Sequence, residues 1–356
     1  MIKKLALIVL AAGLCLSCAN AQRPQTPKEP YPYVTEEVSF ANEAEGATLS
    51  GTLTYPVMHH IYPQGSIPVV LMVTGSGAQD RNEELFGHKP FLVIADYLAK
   101  KGIASLRYDD RGVGGSKGPT DNTTSLNNKA DALAGIDYLR SLGKFGKVGV
   151  LGHSEGGSIA FMMGAEGSVD FLISLAGPAA DGITMLVGQN RAIFPLAGVK
   201  GQTLNDYCTA LEQVLKDVVA DQIGDNHTQH VEEIIKSKSL ELPGALEANL
   251  VAVIKQMNPW MVWTLAYNPE EDIKKISCPA MAINGSLDKQ VVSKDNIPLL
   301  EKSLTGNDKN FIKEYPGLNH LFQPCNESTA MSYQFIAETI SEEVLEDIAK
   351  WITSVK

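Results

Sequence analysis

The stretch Val148-Gly149-Val150-Leu151-Gly152-His153-Ser154-Glu155-Gly156-Gly157 runs from a short apolar segment into Gly-x-Ser-x-Gly and on into the apolar run Ser158 to Gly164. It reads as a strand, a sharp turn and a helix. Val148, Val150 and Leu151 supply the strand, and Ile159, Ala160, Phe161 and Met162 supply the helix. A serine at such a turn is held above the end of a sheet in a strained backbone conformation, so the positions two before and two after it must lack bulk. Gly152 and Gly156 meet that demand. A glycine-rich turn with a surface serine would share the five-residue pattern; the flanking strand and helix favour Ser154 as a nucleophile.

Outward from this turn, strands and helices alternate. Pro68 to Val73 is a continuous apolar run suited to a strand buried on both faces, Phe91 to Lys101 reads as a helix and Gly102 to Arg107 as a strand. Leu126, Ala130, Leu133, Ile136 and Leu139 recur at helical spacing over 126–142, and Val169 to Leu175 is another buried strand. Val34 to Phe40 and Thr48 to Tyr55 alternate as a hairpin. Between Pro178 and Ile276 no strand is expected and helices dominate, the clearest carrying Leu204, Tyr207, Cys208, Leu211, Val214, Leu215 and Val218. Alternation resumes with a strand Cys278 to Ile283, a helix Lys294 to Ser303, a strand Asn310 to Tyr315 and a terminal helix. That helix has Val344, Leu345, Ile348, Trp351 and Ile352 on one stripe and Thr339-Ile340-Ser341-Glu342 as a capping box. The fold class is α/β, a mostly parallel sheet covered by helices on both faces with an inserted helical cap. The domain reading is a core of 34–177 and 277–356 and a cap of 178–276.

The first 21 residues stand apart. Lys3 and Lys4 precede an apolar run from Leu5 to Leu16 that is too short to span a bilayer, which is the pattern of an export signal. Ala19-Asn20-Ala21 offers a cleavage site before Gln22. Leu16-Ser17-Cys18 is an imperfect lipobox that would leave a lipid on Cys18, and Cys15, where a lipobox has Leu, favours plain cleavage. The expectation is a periplasmic or secreted protein, with a membrane-anchored lipoprotein as the alternative. Residues 22–33, with Pro24, Pro27, Pro30 and Pro32, read as a tether. Removing Lys3 and Lys4 takes the net charge from −11 to −13, which disfavours nucleic acid or anionic membrane as a partner and leaves small molecules. The 356 residues, 44% hydrophobic and 20% charged, suffice for one large α/β domain or two small ones. Cys208, Cys278 and Cys325 remain after cleavage at no metal-like spacing and are expected as buried thiols.

A serine hydroxyl needs a base within hydrogen-bond reach and a carboxylate to orient that base. Of the seven histidines, His59 and His60 fall in an early loop, His88 precedes the first covering helix, His153 adjoins the nucleophile, and His227 and His230 lie in the insertion. His320 alone follows the last strand, in Pro316-Gly317-Leu318-Asn319-His320-Leu321-Phe322, at the sheet edge where Ser154 belongs. The elbow resembles that of α/β-hydrolases, whose triads run Ser, then Asp or Glu, then His; that order implies an acid between Ser154 and His320 and after a strand, which is Asp288 in Asn284-Gly285-Ser286-Leu287-Asp288. Asp295, inside the next helix, is the fallback. For a developing oxyanion the expected donors are the backbone N–H of Glu155 and one from Thr74-Gly75-Ser76-Gly77, with Ser76 first and Gly77 next.

Taken together, GHSEGG (152–157), VTGSGAQDRNE (73–83), LRYDDRGVGGS (106–116), LAGPAADG (175–182), NPWMVW (258–263), INGSLDKQV (283–291) and GLNHLFQ (317–323) resemble the α/β-hydrolase superfamily, specifically bacterial serine esterases with a serine-aminopeptidase-like domain. The resemblance runs from about Thr48 to the C terminus. It implies an α/β-hydrolase fold, Ser154, Asp288 and His320 as a triad, and the insertion as a cap. One departure is Thr74-Gly75 where many members have His-Gly.

Other signals point elsewhere. Gly112-Val113-Gly114-Gly115-Ser116 lacks the third glycine of a dinucleotide fingerprint and the lysine of a P-loop, and reads as a tight turn. His227-x-x-His230 with Glu232 and Glu233 lacks a third convincing metal ligand and reads as a solvated helix end. The expected activity is cleavage of a small-molecule carboxylic ester through an acyl-enzyme, with no cofactor and no metal required. A peptidase or acyltransferase on the same triad and a non-catalytic binding protein are the alternatives. Trp260 and Trp263 are candidate pocket-wall residues.

Overall fold

The computed structural model describes residues 23–57 and 65–356; the leader 1–21, Cys18, His59 and His60 lie outside them. Eight strands form one sheet in the order β1-β2-β4-β3-β5-β6-β7-β8. These are β1 (Tyr33–Asn42), β2 (Ala47–Pro56), β3 (Val69–Val73), β4 (Ala104–Tyr108), β5 (Val148–His153), β6 (Leu172–Leu175), β7 (Ala280–Gly285) and β8 (Phe311–Tyr315). The hairpin β1–β2 and the β2–β4 pair are antiparallel, and every pairing from β4 to β8 is parallel. The helices are α1 (Pro90–Lys100), α2 (Ser125–Ser141), α3 (Glu155–Ala165), α4 (Gly182–Ile193), α5 (Gly201–Val219), α6 (His227–Ser237), α7 (Gly244–Lys255), α8 (Pro259–Ala266), α9 (Glu270–Ile273), α10 (Ser293–Ser303) and α11 (Glu342–Val355).

The apolar runs of β3, β5 and β6 are strands because both faces of this sheet are covered. Val69, Leu71 and Val73 point into a layer with Ala132, Ile136 and Leu139 of α2 and Ile159 to Met163 of α3. Val70 and Met72 point the other way, onto Phe91, Ile94 and Leu98 of α1 and Val344, Ile348 and Ile352 of α11. Each such buried side chain contributes roughly 1.5–3 kcal/mol, so packing on two faces, more than helix propensity, fixes the layers. Between β6 and β7 the described chain is helical, and Leu186, Tyr207, Leu211, Leu215, Val231, Leu250 and Leu265 share a core of their own. Among the described residues no helix is long and apolar enough to cross a membrane.

Four expectations need correcting. The helix after the elbow starts at Glu155, three residues before Ser158. Leu126 is exposed, because it sits in the first turn of α2 beyond the edge of the core. The capping box at Thr339 does not form: the N-cap of α11 is Ser341, which makes no side-chain cap, and the Thr339 hydroxyl pairs with His88 Nδ1 at 3.0 Å. A capping box does stand at Thr124 and Asn127, ahead of α2. Of the expected tether 22–33, the described residues 23–33 are not free throughout. The buried Arg23 guanidinium donates to the carbonyls of Ile336, Phe86 and Gln334, and Gln25 Oε1 accepts from Thr339 and Ile340 N–H.

Candidate active site

β5 delivers Ser154 to a turn with φ 54° and ψ −117°, a conformation that side-chain-bearing residues rarely adopt. A methyl group on Gly152 would overlap the Gly156 carbonyl, and one on Gly156 would overlap the Val73 carbonyl, so both glycines are required by backbone packing. The Ser154 N–H donates to Leu175 O at 2.9 Å, tying the turn to β6. The serine side chain does not cap α3, which leaves its hydroxyl available for chemistry.

His320 and Asp288 arrive from the loops after β8 and β7. His320 Nδ1 lies 2.7 Å from Asp288 Oδ2. Asp288 is 2% exposed, and its Oδ1 accepts the backbone N–H of Gln290 at 2.8 Å and of Val291 at 2.9 Å. Asn284 Nδ2 donates to Oδ2 at 3.2 Å. Every contact is from a donor, so both carboxylate oxygens act as acceptors and the Nδ1 proton of His320 is directed to Oδ2. That leaves Nε2 to serve as a base. No direct hydrogen bond joins Ser154 to His320 among the described residues. Asp295 is elsewhere: it faces Gly188 of α4 and shares a cavity with Asp181, Arg191 and Lys294.

The loop after β3 passes beside the serine, a Cβ on Gly75 falling 3.3 Å from Ser154 Cβ. Two acids hold this loop, Glu83 buried and Asp110 half-buried. Thr74 Oγ1 donates to Asp110 Oδ1 and Gln79 N–H to Asp110 Oδ2, both at 2.8 Å, while Gly75 N–H donates to Glu83 Oε1 at 2.7 Å. Thr74 thus anchors the loop where a histidine would stand in many relatives of the pattern. Burial pushes the Asp110 carboxyl up to about 8, and the Glu155 and Glu83 charges reinforce the shift against these two hydrogen bonds. With Gly75 N–H turned to Glu83, the donors left in the loop are Ser76 and Gly77, the latter at φ 97°. Glu155 is the first residue of α3, so its N–H has no partner within the helix. Its side chain turns away and accepts from Ser125 Oγ at 2.7 Å and Trp260 Nε1 at 3.0 Å.

The remaining candidates have structural partners. His88 is fully buried between Thr339 Oγ1 and Tyr333 O, and burial lowers its pKa. His230 Nε2 pairs with Asp217 Oδ2 at 3.0 Å, and no cluster of three or more metal-ligating side chains occurs among the described residues. Gly114 and Gly115 close around Asp109, whose Oδ2 accepts Gly115 N–H at 3.1 Å and whose two oxygens take a forked bond from Arg81. Cys208, Cys278 and Cys325 are free thiols; only Cys208 is buried. Trp260 of α8 reaches the elbow through Glu155, whereas Trp263 stacks on Tyr267 at 4.9 Å and packs on the main core. Sequence reasoning missed Glu83 and Asp110. Their one signal is acidic residues beside a glycine loop, in QDRNE and YDDRG.

The model of the X-Pro dipeptidyl-peptidase (S15 family) matches residues 19–314. Esterase EstD of Thermotoga maritima is 27% identical over 342 residues, covering 96% of this chain and 73% of the relative. Among solved structures, an esterase of Pyrococcus furiosus superposes with a TM-score of 0.54 at 16% identity, over 93% of this chain and 97% of that one. A proline iminopeptidase of Mycobacterium smegmatis superposes with a TM-score of 0.53 at 15% identity, over 90% and 98%. At such identities these two structures speak for the α/β-hydrolase fold alone.

Proposed function

Because the chain belongs to the X-Pro dipeptidyl-peptidase (S15) family and is a serine hydrolase, we propose that Ser154, His320 and Asp288 form its triad and that it cleaves carboxylic esters. Ser154 Oγ attacks the ester carbonyl carbon and passes its proton to His320 Nε2. Asp288 keeps the other ring proton on Nδ1 and stabilises the imidazolium. The oxyanion is met by the N–H of Glu155 and by that of Ser76 or Gly77. His320 then protonates the departing alcohol, leaving an acyl group on Ser154. Water, deprotonated by His320, releases the acid and restores the serine.

The observation that carries this reading is the 2.7 Å Asp288–His320 contact at the sheet edge where Ser154 stands at φ 54°. The name of the Thermotoga relative favours an ester, and the family description favours a peptide as the second reading. Residues 178–276 act as a cap whose Trp260 borders the acyl pocket. The leader directs export, with cleavage after Ala21 and no lipid on Cys18. A panel of p-nitrophenyl esters of graded acyl length beside Xaa-Pro-p-nitroanilides separates the two substrates. Ester turnover with inert anilides supports the proposal, and the reverse overturns it.

A further inference from the structure

His153 stands one residue before the nucleophile, and both of its ring nitrogens meet atoms that only accept. Nδ1 lies 2.9 Å from Glu83 Oε1, and Nε2 lies 3.0 Å from the backbone carbonyl oxygen of His320. A neutral imidazole has one N–H, so it would leave one of these contacts between two lone pairs. Neither nitrogen can be relieved by solvent, because His153 and Glu83 are each 6% exposed. Among the described residues the Glu83 carboxylate has no other counter-ion. Its Oε1 takes only Gly75 N–H and His153, and its Oε2 is buried without a hydrogen-bond partner.

We infer that His153 is a permanently protonated imidazolium which, paired with Glu83, positions the three parts of the active site against one another. Glu83 grips the loop expected to supply an oxyanion donor, through Gly75 N–H. The imidazolium grips the backbone of His320. Its own main chain leads directly into Ser154. One ion pair therefore spans loop, nucleophile and base, which arrive from the ends of β3, β5 and β8. Glu83 is held at φ 53°, a strained value for a residue with a side chain, which fits a side chain aimed by its surroundings. Burial pulls the pKa of His153 down, but the Glu83 charge and hydrogen bond, the His320 carbonyl and the Asp288 charge outweigh it and leave the ring above its ordinary value.

The pair also acts on His320 through charge. The two imidazole rings are 4.7 Å apart, so a cation on His153 repels a second positive charge on His320. The ionisable groups facing His153 are Glu83 from the loop after β3, Asp288 from the loop after β7 and His320 from the loop after β8. Asp110 and Glu155 lie beyond Glu83 in the same acidic group.

This inference rests on Ser154, Asp288 and His320 being the triad, and its test keeps the two apart. In His153→Gln, kcat on p-nitrophenyl acetate should fall about tenfold or more with KM little changed, as expected when the base is displaced by a fraction of an ångström. The acid limb of kcat/KM should move to higher pH by about one unit, since both losing the cation and leaving Glu83 unopposed favour a charged His320. A merely structural role would lower stability and leave that limb in place. Nitrogen-15 NMR of histidine-labelled wild-type protein provides the reading that needs neither activity nor that variant. One ring should show two bonded protons at pH 7.5, and Glu83→Gln, which keeps an oxygen for Gly75 N–H, should remove that signal or lower its titration. A wild-type spectrum in which every histidine is neutral at pH 7.5, or a folded His153→Gln protein with an unmoved acid limb, would overturn the inference. A protein that hydrolyses no ester yet shows the doubly protonated ring would sink only the proposed function.

Discussion

Replacing Asp288 by Asn tests the triad with almost no change of shape. Asp288 Oδ1 accepts two backbone N–H groups, from Gln290 and Val291, so an asparagine there must keep its oxygen on that side. Its NH2 then faces His320 Nδ1 and Asn284 Nδ2, both of which donate to the carboxylate in the native protein. The relief available to His320 is to move its proton to Nε2 and accept at Nδ1. That tautomer presents a proton to Ser154 and cannot take one. The same inversion in serine proteases lowers turnover about 10⁴-fold, which at about 1.36 kcal/mol per decade is about 5.5 kcal/mol of transition-state stabilisation. Steady-state hydrolysis of a p-nitrophenyl ester, with circular dichroism to confirm folding, measures it. Asp295→Asn, in its separate cavity by α4, should stay within about threefold of wild type. A loss under tenfold at Asp288, or equal losses at both positions, would refute the reasoning.

Trp260→Ala should alter the preference among acyl chain lengths while acetate turnover survives, because Trp260 reaches the elbow through Glu155; unchanged ratios across an ester series would reject a selecting role. Trp263→Ala, which removes the stack of this partly buried ring on Tyr267, should instead cost about 1–3 kcal/mol of stability in urea titrations and leave the ratios alone. For Asp110 the sign follows from a folded pKa, about 8, raised above its unfolded value. The folded state holds the proton more tightly between about pH 4 and pH 8, so stability at this site is full below that window and is lost as pH rises through it. Thermal melting of wild type against Asp110→Asn should show the wild type losing ground from pH 5 to pH 8, and a constant difference would contradict the assignment.

The fold was legible where burial on two faces forces runs of one character. Val69 to Val73 and Val148 to Leu151 could be read as central strands because nothing but sheet accommodates them. The turn at Ser154 was legible because its glycines are demanded by contacts close in the chain or with a neighbouring strand, and the meeting of His320 with Asp288 because strand order brings their loops together. What failed was long-range. Thr339 looked like a cap until His88, 251 residues earlier, took its hydroxyl. Arg23 looked like linker because the carbonyls it satisfies lie far along the chain, Phe86 63 residues away and Gln334 and Ile336 more than 300. Glu83 and Asp110 were invisible for the same reason: an acid in a polar loop declares nothing about whether the fold will bury it.

The most direct test of the central claim is covalent. Intact wild-type protein treated with a fluorophosphonate should gain one adduct, mapped by peptide mass spectrometry to the segment containing Ser154, and Ser154→Ala should gain none while keeping its circular dichroism spectrum. Labelling that persists in Ser154→Ala, or an adduct on any other residue of the wild type, would contradict the account.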